Sequence, residues 1–445
     1  MHKKLEPTYT QLIALSFFGV IAVGGLLLTL PISSADGAWT SPLTAFFTAT
    51  SATCVTGLVV ADTYTHWSFF GQLVVLSMIQ VGGLGFMTVM TAFAVAMRKK
   101  IGLHERSLLM QAAGSMTHGG LIRLTRRIIT ITAFFEFLGA CLLAIRFIPQ
   151  MGLAEGVWNA VFHSVSAFCN AGFDIMGKYG QYCSFTGYVG DALVSLTLCS
   201  LIALGGIGFL VWDDIIKNRF HYEKYELHTK LVLNTTAILI LGGWAIFLLT
   251  EANGDLAGLT LKEKLLASLF QSITPRTAGF NTIDMSKLSD GGALTTIFLM
   301  FIGGSPGSTA GGVKTTTIAV LLLDTIATAT MQSSINIHKR RIDDAMVKRA
   351  SAIVTVYAVG VIAAAFAIYA MEPYGMIQTI FEVTSAVGTV GLTMGITPQL
   401  CAASKLILML MMFAGRVGGL SFVLLLGEKR KVRVTELPTE NILIG

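Results

Sequence analysis

The sequence predicts an all-α integral membrane protein: four membrane–pore-loop–membrane repeats, eight spans in all, around one central pore. Three observations carry this. The chain has 445 residues, 53% hydrophobic and 13% charged, with a mean hydropathy of +0.71. A soluble chain carries about a quarter charged residues. Four short Ser/Thr-rich segments each end in a glycine followed by Leu or Phe, at Gly57, Gly172, Gly279 and Gly391. These glycines are separated by 115, 107 and 112 residues, the period of a whole structural unit rather than of a solenoid.

Each quarter reads as a long helix, a short helix, a glycine turn and a second long helix. The repeats are assigned to residues 1–97, 98–215, 216–330 and 331–445. In the first, Leu12–Leu30 spans, Pro42–Thr53 is the short helix and Ser68–Met97 returns. Met1-His2-Lys3-Lys4 before that apolar run has the look of a signal peptide. The run is long enough to span and no A-x-A-like site follows, so a retained first helix is expected. The second repeat has Ile128–Ile148, Glu155–Phe168 and Gly187–Trp212. The third has Leu231–Thr250, Leu261–Thr274 and Gly292–Ile302, and the fourth Ala350–Met371, Met376–Val387 and Ala402–Leu426. At ~1.5 Å per residue the short helices cannot cross a ~30 Å hydrocarbon core. Non-helical backbone at membrane depth survives only when buried in protein or lining a water-filled cavity. Each short helix with its glycine turn therefore reads as a re-entrant loop.

Eight spans put both termini on one side, and the basic residues say which. The connections on the terminal side carry Arg98-Lys99-Lys100, Lys339-Arg340-Arg341 and most of the other lysines and arginines. The opposite side has Arg146, Lys178, Lys262, Lys264, Lys287 and Lys405. Both termini are expected to be cytoplasmic, with the pore loops opening outward in a multi-pass plasma-membrane protein. The net charge of +6 follows from orientation in the lipid bilayer, so no nucleic-acid partner is expected.

The outgoing helices share a second motif. Val81-Gly82-Gly83-Leu84-Gly85-Phe86 matches Leu204-Gly205-Gly206-Ile207-Gly208-Phe209 and Val417-Gly418-Gly419-Leu420-Ser421-Phe422. Small residues let helix backbones approach closely in membranes; a hinge is the other reading. The third repeat departs from the pattern. It reads Gly303-Gly304-Ser305-Pro306-Gly307-Ser308-Thr309-Ala310-Gly311-Gly312-Val313-Lys314, which cannot stay helical. A loop opening beneath the pore is expected, against a cavity. The stretch approaches the phosphate-binding G-x-x-x-x-G-K-[ST] pattern, but Val313 separates Gly312 from Lys314 and no strand precedes it.

Charges within spans are costly, about 2.5–3.5 kcal/mol each on insertion scales, and mark functional candidates. Lys314 and Arg416 are expected to face the cavity below the pore loops and oppose a passing cation, which suits a gate. For Lys314, snorkelling to the interface is the alternative. Arg276 and Glu382, inside the third and fourth loops, either pair to brace the pore or each meet backbone groups and water. Glu136 has no evident partner. Asp213-Asp214 is expected in a solvated turn at a helix end. Cys54, Cys141, Cys169, Cys183, Cys199 and Cys401 show no metal spacing and read as small apolar filler. No nucleophile, acid–base pair or metal cluster supports an enzyme.

These motifs are similar to those of the Trk/Ktr/HKT superfamily of potassium transporters, over nearly the whole chain. The carriers of the resemblance are the four repeats, one glycine per loop and the glycine-rich broken helix of the third repeat. The length is close to that of the eight-span Ktr-type membrane subunit (KtrB-like). The resemblance implies potassium uptake through a gated pore in a homodimer with one pore per subunit, often with sodium dependence. It implies a cytoplasmic ring of nucleotide-binding regulatory subunits (KtrA-like) that drives gating with ATP or ADP; no cofactor is expected in this chain. The potassium filter then carries over to backbone carbonyls of Val55, Thr56, Gly57, Asn170, Ala171, Gly172, Thr277, Ala278, Gly279, Thr389, Val390 and Gly391. The gate carries over to Gly303, Gly304, Ser305, Pro306, Gly307, Ser308, Thr309, Ala310, Gly311 and Gly312 with Lys314 and Arg416. Relatives with Ser in the first loop favour sodium, and Gly57 stands there in this chain. The competing reading is an alternating-access cation carrier for potassium or sodium symport. Carriers often show inverted repeats, whereas these four share one orientation.

Overall fold

The computed structural model describes residues 9–85, 88, 121–219, 221–252 and 254–418. The basic clusters Lys3-Lys4, Arg98-Lys99-Lys100 and Lys429–Arg433 lie outside them, as do Gly419–Phe422 of the last glycine motif.

The first repeat contains α1 (Tyr9–Thr29), α2 (Pro42–Cys54), the single turn α3 (Thr63–His66) and α4 (Phe69–Leu84). The second contains α5 (Leu121–Met151), α6 (Leu153–Phe168), α7 (Ala192–Ile207) and α8 (Phe209–Asn218). The third contains α9 (Leu227–Thr250), α10 (Leu261–Ile273), α11 (Asp290–Phe301) and α12 (Thr315–Ala329). The fourth contains α13 (Asp344–Tyr369), α14 (Met376–Gly388) and α15 (Ala402–Val417). A two-residue hairpin, Asn336–Ile337 with Arg340–Arg341, links the third repeat to the fourth.

Among the described residues, four helices are long and apolar enough to cross a membrane: 11–29 within α1, 124–151 within α5, and α9 and α13. They are the leading helix of each repeat. Polar N-caps set many of the other starts. Ser68 caps α4, Asp191 caps α7, Ser289 caps α11, and Thr260 with Glu263 forms a capping box on α10. Each such cap contributes about 1 kcal/mol by satisfying amide groups the helix cannot.

The outgoing helices differ from expectation. Each was expected to run on continuously except in the third repeat. Instead α4 ends at Gly85 (φ +81°), α7 at Gly208 (φ +104°) and α15 at Gly418 (φ +100°). The chain turns by 91° between α7 and α8. These left-handed values are open to glycine and strained for other residues. The glycine motif therefore does more than ease packing: it is where the helix breaks. In the fourth repeat the described left-handed residue is Gly418, the first glycine of the motif.

The apolar core forms several clusters, and they cross the repeats. One cluster joins the first and fourth repeats through Phe47, Trp67, Leu408 and Met412. Another runs through the second repeat into the third, with Phe147, Phe168, Phe185, Phe270 and Phe280. The short helices contribute to these clusters and are buried almost throughout their last two turns.

Candidate functional site: a ring of loops and the loop beneath it

The four short helices point their C-terminal ends at one another. After each, the backbone turns left-handed twice. The first turn is at Val55, Asn170, Thr277 and Thr389 (φ +53° to +71°), and the second is at Gly57, Gly172, Gly279 and Gly391 (φ +68° to +95°). The glycines close a ring. A Cβ on Gly57 would lie 2.6 Å from the carbonyl oxygen of Ala171, and one on Gly172 2.6 Å from that of Ala278. One on Gly279 would lie 2.3 Å from the oxygen of Val390, and one on Gly391 2.2 Å from that of Thr56. Each glycine thus abuts the carbonyl of the next loop, and the fourth returns to the first. Glycine is required here on two counts, the backbone conformation and the missing side chain.

Hydroxyls near the end of each short helix hold the ring. Ser51 and Ser385 accept from the amides of Gly57 and Gly391, at 3.1 and 3.0 Å. Ser166 and Thr274 donate to the carbonyls of Phe173 and Phe280, at 2.7 and 2.5 Å. Sequence reading passed over these four residues. The signal was present, because each stands six residues before its glycine, or five in the third loop, which is one residue tighter. His163 adds a tie in the second loop. Its Nδ1 meets the Asn159 carbonyl at 2.8 Å, and its Nε2 accepts from the amide of Ile175 at 3.1 Å.

Below the ring lies the 302–314 segment, non-helical as its sequence requires. Its two ends pair, with the Gly303 amide donating to the Val313 carbonyl at 2.8 Å. The loop packs against other repeats. The Ser305 amide donates to the Gly206 carbonyl at 3.0 Å, and the Gly307 carbonyl accepts from the Phe209 amide at 2.8 Å. The Thr309 hydroxyl donates to the Phe168 carbonyl, at the end of α6, at 3.2 Å. A Cβ on Gly311 would fall 2.2 Å from Oγ1 of Thr389, which puts the loop directly against the fourth loop of the ring.

Two cations hold this segment. The Lys314 Nζ folds back to donate to the carbonyls of Ala310 (2.7 Å) and Gly311 (3.3 Å), rather than reaching for an interface. Arg416 joins three repeats. From α15 its guanidinium donates to the Thr309 carbonyl in the loop and to the carbonyls of Gly82 and Gly83 in the last turn of α4. A helix's last carbonyls are unsatisfied and carry its negative dipole end, so they suit a guanidinium at membrane depth.

Of the two arrangements expected for Arg276 and Glu382, pairing is not the one adopted. Glu382 accepts from the Thr393 and Thr397 hydroxyls (2.5 and 2.6 Å) and the Met394 amide (3.0 Å), which ties α14 to the segment after its own loop. Arg276 reaches back to the Thr236 hydroxyl on α9 at 3.4 Å. Arg276 and Glu382 thus each find partners within their own repeat. Glu136 does have a partner, the Gln80 amide at 3.2 Å. Asp213 and Asp214 lie inside α8 rather than in a solvated turn. Asp213 pairs with Arg127 and Lys217, and Asp214 accepts from the Glu226 amide at 2.9 Å. All six cysteines are free thiols.

A profile of the TrkH cation transport proteins matches residues 10–431. The chain belongs to this family. It is 42% identical to the Ktr system potassium uptake protein B of Bacillus subtilis, covering 95% of this chain and 93% of that one. It is 40% identical to the potassium/sodium uptake protein NtpJ of Enterococcus hirae, covering 100% and 98%. Its fold is similar to that of the potassium transporter TrkH from Vibrio parahaemolyticus, with a TM-score of 0.74 and 18% identity over 96% of this chain and 86% of that one. The protein is thus a multi-pass membrane transporter of cations and not an enzyme. The hydroxyls of Thr56 and Thr389 in the ring have no hydrogen-bond partner among the described residues.

Proposed function

We propose that this chain is the pore-forming subunit of a Ktr-type potassium uptake system, and that the ring selects the ion. The observation that carries the proposal is the cyclic contact of each loop glycine with the carbonyl of the next loop. Carbonyl oxygens gathered around one axis can replace the water shell of a potassium ion. The unpartnered hydroxyls of Thr56 and Thr389 are further polar groups for the ion or its water. The glycine in the first loop suits a potassium path, as does the company of uptake proteins that the chain is similar to.

On this reading the helices form eight spans in four repeats, with both termini cytoplasmic and the ring facing out. The 302–314 loop is the gate. It crosses the path below the ring, and its ties to Arg416 and Lys314 must be exchanged for an ion to pass. The subunit works as a homodimer under a nucleotide-binding regulatory ring that ATP and ADP switch, with sodium as an activating ion. Repeats that share one orientation and each bring a loop to one axis favour this over a carrier with alternating access.

The direct test is uptake into proteoliposomes, comparing potassium with sodium. Gly57→Ser places a side chain against the Ala171 carbonyl. It is expected to reduce the potassium-over-sodium preference roughly tenfold, about 1.4 kcal/mol of discrimination. A folded Gly57→Ser protein that keeps the wild-type ratio would sink the assignment of the ring as filter.

A further inference from the structure

We infer that the protein holds an anionic phospholipid of the leaflet on the ring side, seated between α5 and α7. The site has two halves that share Ala192 and Leu193. The first is a polar basin of about 1030 Å³ at the ring-side ends of α5 and α7, lined among others by Arg146, Tyr179, Tyr188 and Lys262. The second is an apolar groove of about 540 Å³ that continues from it along α7 to Leu204, with Leu138 and Leu142 of α5 on its other wall. From Ala192 to Leu204 a helix rises roughly 18 Å, close to half of a ~30 Å hydrocarbon core. A polar basin leading into an apolar groove one leaflet deep has the dimensions and polarity of a lipid headgroup with its acyl chain.

The donors of the basin, rather than a net charge, suit a phosphate. Its two cations are matched by two carboxylates, which are bonded at the helix caps. Asp191 caps α7 by accepting from the amides of Leu193 and Val194, and its other oxygen meets Arg146 Nε at 2.6 Å. Glu263 accepts from the Thr260 amide and hydroxyl in the capping box of α10, both at 2.8 Å. The cations have capacity to spare. The Arg146 side chain is 51% exposed and uses only Nε on Asp191. Lys262 lies within electrostatic reach of Glu263, but neither its Nζ nor the two terminal nitrogens of Arg146 make a hydrogen bond or salt bridge among the described residues. A phosphate would take these donors with charge-assisted hydrogen bonds. Tyr179 and Tyr188 stand where aromatic residues commonly mark the membrane–water boundary. A free phosphate would have no use for the groove.

Native mass spectrometry of the detergent-solubilised full chain tests this with palmitoyl-oleoyl phosphatidylglycerol as the probe. The wild type is expected to retain one such lipid per chain in preference to phosphatidylcholine. Lys262→Ala, which breaks no internal hydrogen bond among the described residues, and Arg146→Gln should each lower retention about fivefold, on the order of one charge-assisted bond. Ser200→Trp, which fills the groove and leaves the basin intact, should lower it as well. Equal retention by the wild type and all three variants would overturn the proposal, as would equal retention of phosphatidylcholine. Displacement by glycerophosphoglycerol at the same concentration as the lipid would show a free-anion site instead. A change of oligomeric mass in Ser200→Trp with unchanged lipid retention would assign the groove to a protein interface.

Discussion

The outgoing helices of the second and third repeats break at matching glycine pairs, and they break differently. In the second repeat one residue, Gly208, makes the corner. The helix stops at Ile207, resumes at Phe209 and departs at 91°. The Trp212 indole spans the corner by donating to the Leu204 carbonyl at 3.0 Å. In the third repeat the helix stops at Phe301 and does not resume until Thr315. Aligned on the glycine pairs 205-206 and 303-304, Pro306 stands where Gly208 stands. Proline holds φ near −65° and cannot take the left-handed value that turns the chain at Gly208. A one-residue corner is closed to the third repeat, so the backbone opens into a loop. An opened backbone leaves carbonyls without helical partners, and Lys314 and Arg416 satisfy three of them. The corner of the second repeat then serves as the dock for the loop of the third, through the Phe209–Gly307 and Ser305–Gly206 bonds.

The sharpest way to break this comparison is to remove what the third repeat has and the second lacks. Deleting Ser305–Ala310, or replacing Arg416 with Ser, should raise potassium flux roughly tenfold, the equivalent of losing a barrier of about 1.4 kcal/mol. Flux assays in liposomes with matched protein amounts check it. Unchanged or lower flux in both, with intact protein, would leave the loop as architecture and not a gate.

A smaller effect is expected at the dock. Ala at Gly208 must adopt a glycine-only conformation, at a cost of ~1–3 kcal/mol, and its Cβ would sit 2.7 Å from the Pro306 carbonyl. Gly208→Ala should lower the melting temperature and raise flux less than the loop deletion does. A loss of stability with wild-type flux would show that the two breaks are mechanically independent. The smallest effect belongs to Thr309→Val. It removes the 3.2 Å bond to the Phe168 carbonyl, worth about 0.5–1.5 kcal/mol, while leaving the Arg416 contact to the Thr309 backbone. Its flux should rise no more than a few-fold; a rise as large as for Arg416→Ser would shift the latch from the arginine to the hydroxyl.

Much of this arrangement was legible in the chain alone. The period of the loop glycines marked four units. The density of glycine with Pro306 marked the opened loop, since local conformational preference suffices to forbid a helix there. Lys314 and Arg416 stood out as charges within apolar segments, both expected on the side of the loop below the ring. Glu136 was noticed as out of place, but its partner Gln80 lies in another repeat and no spacing reveals it.

What the sequence determined by itself is therefore local: where backbone must be helical, where it cannot be, and which four glycines occupy equivalent places. Only the tertiary structure decided that the outgoing helices of the other repeats break as well, at Gly85, Gly208 and Gly418. It alone separated Arg276 from Glu382 and gave each a partner in its own repeat. A glycine permits a left-handed turn without requiring one. Contacts with distant segments, such as the loop docked on Gly208 and the guanidinium on the last carbonyls of α4, belong to the folded ring rather than to any local stretch of chain.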